Sequence, residues 1–485
     1  MSLSAAIRTA QSILSNTSKQ TLVVSDNIAN ANNPNYARRA PMLQSNLGGS
    51  LSVSVHRTEN KLLLSQSLDS ISASHAQFIV ADGFSRIKTT LGGNDNELSP
   101  SRYLGNLQTA LQTLSATPGN TTLAATVVSD AKDLADNLNN ASAAVQQLRL
   151  DADFAIKQGV DKLNSLLADF EQTNQTVVAG TLSGEDVSQA LDKRDTLLRE
   201  ISSLVGIRTI ERQGNDLAIY TTGGQTLFEK IPRSVSFVPT TGFDPTTNGN
   251  AIYIDGVPLA VGQGVQTSAK GELAAQLQVR DSIAPSYQNQ LDEIARGLVV
   301  AFAEHDQSAS ALPDMPGLFT WAGGTVPTAP AIVPGMSGSI MVNPALVPGS
   351  GNPMLLRDGG INGAAYVSNP SGAAGFSGLL DSYVTGLNEP MDFDPTALAG
   401  SRTGLIEYTS GSIGWLEAGR SEASNASETR HAESTRILET YSKETGVNVD
   451  EEMTLMLKLE QSYKASTKLL ATIDEMMNAL MAVVR

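Results

Sequence analysis

The chain contains no cysteine among its 485 residues, so disulfides, thiol nucleophiles and thiolate metal ligands are all excluded. Aromatic residues make up only 5% of it. Histidines occur only at positions 56, 75, 305 and 431, and none has a metal-binding partner at a suitable sequence spacing. This composition is more typical of long helices that associate with one another than of an enzyme with an active-site pocket.

Long apolar runs and excess positive charge are also missing. The sequence has no stretch of about eighteen consecutive apolar residues, so we expect no membrane-spanning helix. Its net charge of −16 argues against nucleic acid or an anionic membrane as a partner. Residues 1–30 contain no continuous apolar core, and we therefore expect no cleaved secretory signal peptide.

Catalytic motifs are absent as well. The sequence has no His-Glu-x-x-His pair, no phosphate-binding glycine loop with lysine and no Gly-x-Ser-x-Gly elbow. Asp392 and Asp394 lie in a proline-flanked loop, where solvated carboxylates are commoner than catalytic ones. We predict no catalytic, cofactor-binding or metal-binding residue and no enzymatic activity. The alternative, an active site within 306–400, would need a cluster of titratable residues that this segment lacks.

What the sequence does contain is a matching heptad pattern at its two ends. At each end, apolar and small residues recur at alternating steps of four and three, which is a period of about 3.5. This period keeps one face of a helix, the seam, toward a partner helix. Neither end has a local partner helix, so we expect the ends to pack on each other and on copies of themselves. The alternative is two ordinary amphipathic helices docked on a globular body. The predicted assembly-interface residues are Leu3, Ile7, Leu14, Val24, Ile28, Met456, Leu459, Tyr463, Leu470, Ile473, Met477 and Leu480.

The last part of the C-terminal seam carries a sharper expectation. Leu470, Ile473, Met477 and Leu480 are expected to face helices of other subunits and to become buried only on assembly. A charge placed at Ile473 would then disturb assembly and leave the monomer fold intact, because burying an unpaired charge is costly only where the site is buried.

In the middle of the chain, the spacing of apolar residues changes from helical to strand-like and back again. Two apolar stripes, Val127–Leu148 and Ile156–Val177, are offset by eight residues instead of seven, which indicates one long helix with a one-residue slip. A capping box is predicted at Ser183–Asp186. Alternating runs with glycine turns follow over 207–269, and a polar helix is predicted over 410–445, ended by Gly446 and followed by a helix capped by Asn448.

These patterns predict a mainly α fold with inserted β. Terminal coiled-coil helices are expected in 1–60 plus 440–485, a long-helix bundle in 61–206 plus 270–305 plus 400–439, and a small β domain in 207–269. Segment 306–399 is rich in glycine, proline and serine. We interpret it as a variable insertion that is either a second β unit with long loops or only partly ordered.

An asparagine-rich turn follows the first predicted helix. Pro34 disfavours helical geometry at Asn33, and asparagine tolerates a left-handed backbone and caps helix ends, so we expect the helix to end in this turn. The predicted signature-turn residues are Asn27, Asn30, Asn33, Pro34, Asn35 and Tyr36.

Residues 25–36 resemble the N-terminal signature of the bacterial flagellar axial proteins, the family of rod, hook and hook-associated proteins. Asn33 and Asn35 stand where that signature usually has threonine and glycine. Asparagine is the commonest residue other than glycine at positive φ, so the resemblance implies a positive φ at Asn35. Residues 446–452 and 459–466 resemble the closing helix of the same family. The segments 190–198, 271–275 and 287–292 are similar to members that join the hook to the filament.

The resemblance implies a structural subunit of the extracellular flagellum. It would be exported by the flagellar type III system without a cleaved signal peptide, form a ring-like homo-oligomer between hook and filament, and be needed for filament assembly. The implied partners are further copies of the chain, the hook protein, the filament-side junction protein and an export chaperone on the C-terminal helix. The alternative is another axial protein, either hook protein or the filament-side junction protein. Hook protein would need β structure where 100–205 is helical in pattern.

Overall fold

The computed structural model describes residues 3–45, 51–308, 310–328 and 331–484. The fold is mainly α with inserted β, as predicted. The helices are α1 Leu3–Ala29, α2 Lys61–Thr89, α3 Pro100–Ala116, α4 Thr121–Ser183, α5 Ser188–Leu204, α6 Glu272–Gln278, α7 Ala284–Ala301, α8 Leu355–Asp358, α9 Gly378–Gly386, α10 Leu405–Thr445 and α11 Val449–Val484. The strands are β1 Arg39–Ser45, β2 Leu51–Arg57, β3 Ile207–Glu211, β4 Leu217–Thr221, β5 Thr226–Phe228, β6 Val235–Ser236, β7 Tyr253–Ile254, β8 Val257–Pro258, β9 Phe319–Thr320, β10 Met341–Val342, β11 Met391–Asp392 and β12 Arg402–Thr403.

The longest element, α4, is a single helix of 63 residues, as the two offset stripes predicted. Asn120 caps its start by accepting hydrogen bonds from the amides of Thr122 and Leu123, and Gly184 ends it with a left-handed backbone at φ 77°. The stripe 127–148 belongs to one hydrophobic core and the stripe 156–170 to a second. One extra residue turns a helix face by about 100°. The slip therefore redirects α4 from one core to the other.

The first core lies among α2, α3, the first half of α4, α7 and α10. Segment 306–399 packs onto this core through Phe319, Met336, Leu356 and Tyr383. The segment consists of two-residue strands, short helices and long connections, and its buried side chains are continuous with the bundle. The described residues of this segment thus form a cover on the bundle, because their scattered apolar side chains find their partners in α3, α4 and α7.

The second core joins α4 and α5 to the inserted β structure. Two three-stranded antiparallel sheets, in the orders β3-β4-β5 and β6-β7-β8, form this insertion. Gly214 and Asn215 both have positive φ in the β3–β4 connection, and Asp255 and Gly256 do so between β7 and β8, where turn residues were predicted. Phe170 of α4 packs edge-on against Phe228 of β5 at 5.0 Å.

Two local predictions about helix ends have different outcomes. Asn448 caps α11, since its Oδ1 accepts from the amides of Asp450 and Glu451 at 3.0 and 3.4 Å. The capping box at Ser183–Asp186 is wrong. The Ser183 hydroxyl bonds backward to the Gly180 carbonyl, while Asp186 accepts from the amide and hydroxyl of Ser188 at the start of α5.

Gly271, at the start of α6, sits where a side chain has no room. Its φ is 85° and its ψ 162°, a region open essentially to glycine alone, and a Cβ there would lie 2.5 Å from the Leu204 carbonyl. We expect Gly271→Ala to lower the free energy of unfolding by about 3 kcal/mol. Gly224→Ala, also at positive φ (87°) but in open space, should cost only about 1 kcal/mol. Urea unfolding of both variants tests this, and equal losses would contradict it.

Candidate functional site

The two terminal helices pack on each other and form the terminal pair, α1 with α11. Asn27 near the end of α1 contacts Glu452 near the start of α11, so the pair is antiparallel. One column of each heptad seam faces the partner helix. Its buried members, seven residues apart on each helix, are Ala10, Thr17 and Val24 on α1 and Leu459, Ser466 and Ile473 on α11.

The second column of the seam is only half covered. Ile7, Leu14 and Ile28 on α1 and Met456 and Leu470 on α11 are half-buried. Tyr463 and Met477 in the same column remain 44% and 42% exposed. The side chains of Leu3 and Leu480 lie outside the described part of the chain.

An apolar strip on α11 therefore faces away from α1. We call Tyr463, Leu469, Leu470, Met476 and Met477 the open strip. Leu469 and Met476, on the neighbouring column, are 51% and 54% exposed. A run of half-exposed apolar side chains along one helix face is typical of a surface that associates.

The position of Ile473 corrects one prediction. This residue was expected to become buried only on assembly, yet its side chain is 7% exposed in the single chain. The antiparallel packing of α1 places the first helix over this part of α11. A charge at Ile473 would thus disturb the terminal pair itself, whereas Tyr463 and Met477 are seam positions that the chain leaves exposed.

A polar joint attaches the terminal pair to the bundle. Within the described ranges, neither hydrophobic core contains a residue of α1, α11 or the β1–β2 hairpin. The attachment instead runs through hydrogen bonds and ion pairs. The joint consists of Asn27, Tyr36, Arg38, Arg39, Arg57, Asp192, Asp195, Tyr441 and Glu452.

Asn27 is the centre of the upper half of the joint. It is fully buried and its amide group makes four hydrogen bonds. Its Nδ2 donates to the Arg39 carbonyl at 2.8 Å and to Glu452 Oε2 at 3.0 Å. Its Oδ1 accepts from the Tyr36 hydroxyl at 2.8 Å and from the Arg39 amide at 3.1 Å. One side chain thus binds α1, the turn, the hairpin and α11 together.

Glu452 and Arg38 extend this contact to the end of α10. Glu452 has no exposed surface and its Oε1 accepts from Arg38 Nε at 2.7 Å. The Arg38 amide donates to the Thr445 carbonyl, the last residue of α10, at 2.8 Å. The start of α11 is therefore held against the hairpin by a charge-assisted hydrogen bond.

Arg57 forms the lower half of the joint. Its guanidinium donates to Asp192 at 2.8 Å and to Asp195 at 2.6 Å, both on α5, and all three side chains are buried or nearly so. Tyr441 of α10 donates to the same Asp195 carboxylate at 3.3 Å. Two carboxylates one helical turn apart on α5 thus form ion pairs with the same arginine of the hairpin.

Burial and charge set the protonation states of the joint. Burial works against the charged form of Arg57, but Asp195 and Asp192 outweigh it and raise the pKa of the guanidinium. Burial is the largest cause that raises the pKa of both Tyr36 and Tyr441 to about 12. Both phenols therefore keep their protons at physiological pH and act as hydrogen-bond donors.

The exposed half of the asparagine turn is held locally. The Asn30 side chain donates to the Asp26 carbonyl, and Asn33 Oδ1 accepts from the Asn35 amide at 3.0 Å. Asn35 is not among the residues with positive φ, so that prediction is wrong. The Asn33 side chain closes the turn as an Asx turn, which removes the need for a left-handed residue. Pro34 and Asn35 are exposed.

Most of the joint could not be found from sequence spacing. Asn27 and Tyr36 were predicted as turn residues, and Asp192 and Asp195 lie in the segment 190–198 that carried the family resemblance. The sequence offered no signal for the partners of Arg57, which lie 135 and 138 positions away.

The carboxylates considered for catalysis have structural roles. Asp394 caps a short 3-10 turn by accepting from the Thr396 amide at 2.9 Å, and Asp392 pairs with Arg402 at 3.4 Å. Among the residues that the structure describes, no group of three or more acidic or histidine side chains could hold a metal ion. In that same part of the chain, no helix is long and apolar enough to cross a membrane.

Arg57→Gln should weaken the joint by about 3 kcal/mol, because it leaves two buried carboxylates without their cation. Asp195→Asn should cost less in the Arg57→Gln background than in the wild type, since the interaction is already lost. Urea unfolding of the single and double variants measures this coupling. Lys464→Gln, which removes the exposed pair with Glu460, is the control and should change little. Additive losses at Arg57 and Asp195 would show that the two side chains do not act together.

Comparisons with known proteins agree with this architecture. Residues 84–317 match the model of the flagellar hook-associated protein FlgK helical domain. Residues 439–483 match the C-terminal model of the flagellar basal body rod FlgEFG proteins. The helical match covers most of the bundle with the β insertion, and the second match covers most of α11.

Two curated relatives and one solved structure are similar to the chain. Flagellar hook-associated protein 1 of Salmonella typhimurium and that of Salmonella typhi are each 24% identical over 302 residues, which is 59% of this chain. The chain spans 54% of the length of each. The flagellar hook junction protein FlgK from Burkholderia pseudomallei matches with a TM-score of 0.43 and 20% identity, over 53% of this chain and 47% of that one. The helical region of the chain is thus similar to the flagellar hook-associated protein FlgK, and its C-terminal helix to the flagellar rod proteins.

Proposed function

We propose that this chain is a structural subunit of the bacterial flagellum that forms the junction between hook and filament and is needed for filament assembly. The observation that carries the proposal is the half-covered seam of the terminal pair. A single chain buries one column of its heptads and leaves the open strip exposed, so the second column is available to neighbouring copies. The similarity to flagellar hook-associated proteins supports the same interpretation.

The geometry suggests how such a subunit works. Copies of the terminal pair pack through their open strips into an inner ring, and the joint sets the angle at which each bundle leaves it. We divide the subunit into four parts. They are the terminal helices in 1–60 plus 440–485, the bundle in 61–206 plus 270–305 plus 400–439, the β domain in 207–269, and the cover on the bundle in 306–399. The bundle and β domain lie outside the ring.

The partners follow from this position. The ring contacts hook protein on one side and the filament-side junction protein on the other, at an extracellular site. Export through the flagellar type III system delivers the subunit to this site. Before assembly, the exposed apolar side chains of the open strip need cover, and an export chaperone that binds α11 supplies it.

The nearest alternative is another axial protein, either hook protein or the filament-side junction protein. The helices α3, α4 and α5 speak against hook protein, which would have β structure over 100–205. The match of 84–317 to the FlgK helical domain favours the hook-side junction over both alternatives.

Tyr463→Asp tests assembly through the open strip. Its side chain is 44% exposed in the single chain, so the melting temperature of the purified variant should stay near wild type. A charge at that position would become buried on assembly, at a cost of several kcal/mol unless paired. We expect cells that carry only this variant to make hooks without filaments and to shed flagellin, as electron microscopy and analysis of the culture medium would show.

Two further variants separate assembly from folding. Gln461→Asp places the same charge on the exposed opposite face of α11 and should leave filaments intact. Ile473→Asp should disturb the terminal pair already in the monomer, seen as faster hydrogen exchange in α1 and α11. Normal filaments with Tyr463→Asp would refute assembly through the open strip.

A further inference from the structure

The sequence contains two Asn-Gly pairs, Asn248–Gly249 and Asn362–Gly363. An asparagine followed by glycine is open to attack by the next main-chain nitrogen on the side-chain amide, because glycine has no Cβ to hinder the approach. The two pairs differ in their hydrogen bonding in the folded chain. We propose that Asn248 is a site of spontaneous deamidation and isoaspartate formation, and that Asn362 is protected from the same reaction.

At the second pair, hydrogen bonds restrain both reacting groups, the side-chain amide of Asn362 and the main-chain nitrogen of Gly363. Asn362 Nδ2 donates to Glu304 Oε2 and to the Pro316 carbonyl, each at 2.8 Å. The nitrogen that would attack, that of Gly363, donates to the Gly360 carbonyl at 3.1 Å. Glu304 is 2% exposed, so its hydrogen bonds are shielded from water. Reaction at Asn362 therefore requires several hydrogen bonds to break first.

Asn248 has none of these restraints. It is exposed and lies in an irregular connection between β6 and β7. In the described part of the chain, neither its side chain nor the Gly249 amide makes a hydrogen bond. Neither reacting group is therefore held by a hydrogen bond, and the exposed Asn248 side chain is open to solvent.

The flanks of this connection are anchored. The Thr247 carbonyl accepts from Arg149 Nη2 at 2.6 Å, and the Asn250 carbonyl accepts from Arg280 Nη2 at 2.7 Å. Arg280 is fully buried and pairs with Asp153 at 2.6 Å. Only Asn248 and Gly249 remain unbound between these two anchors.

The reaction needs only hydroxide and water. Hydroxide removes the Gly249 amide proton, and the nitrogen forms a bond to Cγ of Asn248. The Cγ–Nδ2 bond breaks, ammonia leaves with a proton from water, and a succinimide ring remains. Water then opens the ring at either carbonyl to give aspartate or isoaspartate. No group is oxidised or reduced.

The isoaspartate product would not fit the anchored connection. It lengthens the main chain by one carbon between the carbonyls that Arg149 and Arg280 bind. A single Cβ added at Gly249 would already lie 2.3 Å from the Arg280 guanidinium. Ageing at Asn248 should thus loosen the contact between the β domain and α4.

The test is to incubate the purified full chain in mildly alkaline buffer and to follow both asparagines by peptide mass mapping and isoaspartate labelling. In the native protein we expect Asn248 to react about tenfold faster than Asn362 or more, since hydrogen bonds to a buried carboxylate protect the latter. In concentrated urea the two rates should approach each other. Asn248→Gln, which keeps the amide but disfavours the ring, should abolish the modification at that position.

A second variant keeps the test decisive if the native rates are slow. Glu304→Ala removes the acceptor of Asn362 and should raise the rate at that position, with circular dichroism to check that the fold persists. Equal native rates at the two sites, faster reaction at Asn362, or no reaction at Asn248 while the urea-unfolded chain reacts at both would each overturn the proposal.

Discussion

The guanidinium of Arg57, held between the carboxylates of Asp192 and Asp195, fixes the terminal helices to the rest of the molecule. No apolar contact could replace it, because no described residue of the terminal pair enters either core. Apolar burial is non-directional, whereas hydrogen bonds to a buried cation demand a defined distance and direction. A buried ion pair is weak evidence for net stability, so the clearer contribution of the joint is its directional contacts.

Within the bundle, the two halves of helix α4 contribute to different hydrophobic cores. A one-residue offset in the apolar stripes of α4 lets a single rigid element serve two cores. The first core carries the cover formed by 306–399, and the second carries the β insertion. Both additions are thereby fixed to the same spine, and α5, which holds the carboxylates of the joint, packs against that spine as well. The joint is thus connected to the β insertion and to the cover through packed helices.

The terminal pair is built to be incomplete. Its buried columns include Thr17 and Ser466, which contribute less hydrophobic stabilisation than larger apolar residues would. Larger apolar side chains such as Tyr463 and Met477 stand instead on the half-covered column. In the proposed assembly, the chain thus keeps its greater hydrophobic gain for contacts with other copies. This distribution suits a subunit that must stay separate until it reaches its place in an assembly.

Sequence by itself determined the features that depend on neighbouring residues. Heptad spacing predicted both terminal helices, the eight-residue offset predicted one long α4, and Asn448 marked the start of α11, since periodicity and capping act within a few positions. Tertiary structure alone decided the partners of Arg57 and the burial of Ile473 beneath α1. Each of these depends on groups that distant segments bring to the site. A local pattern states which face of a helix is apolar, but only the packed molecule decides what covers it.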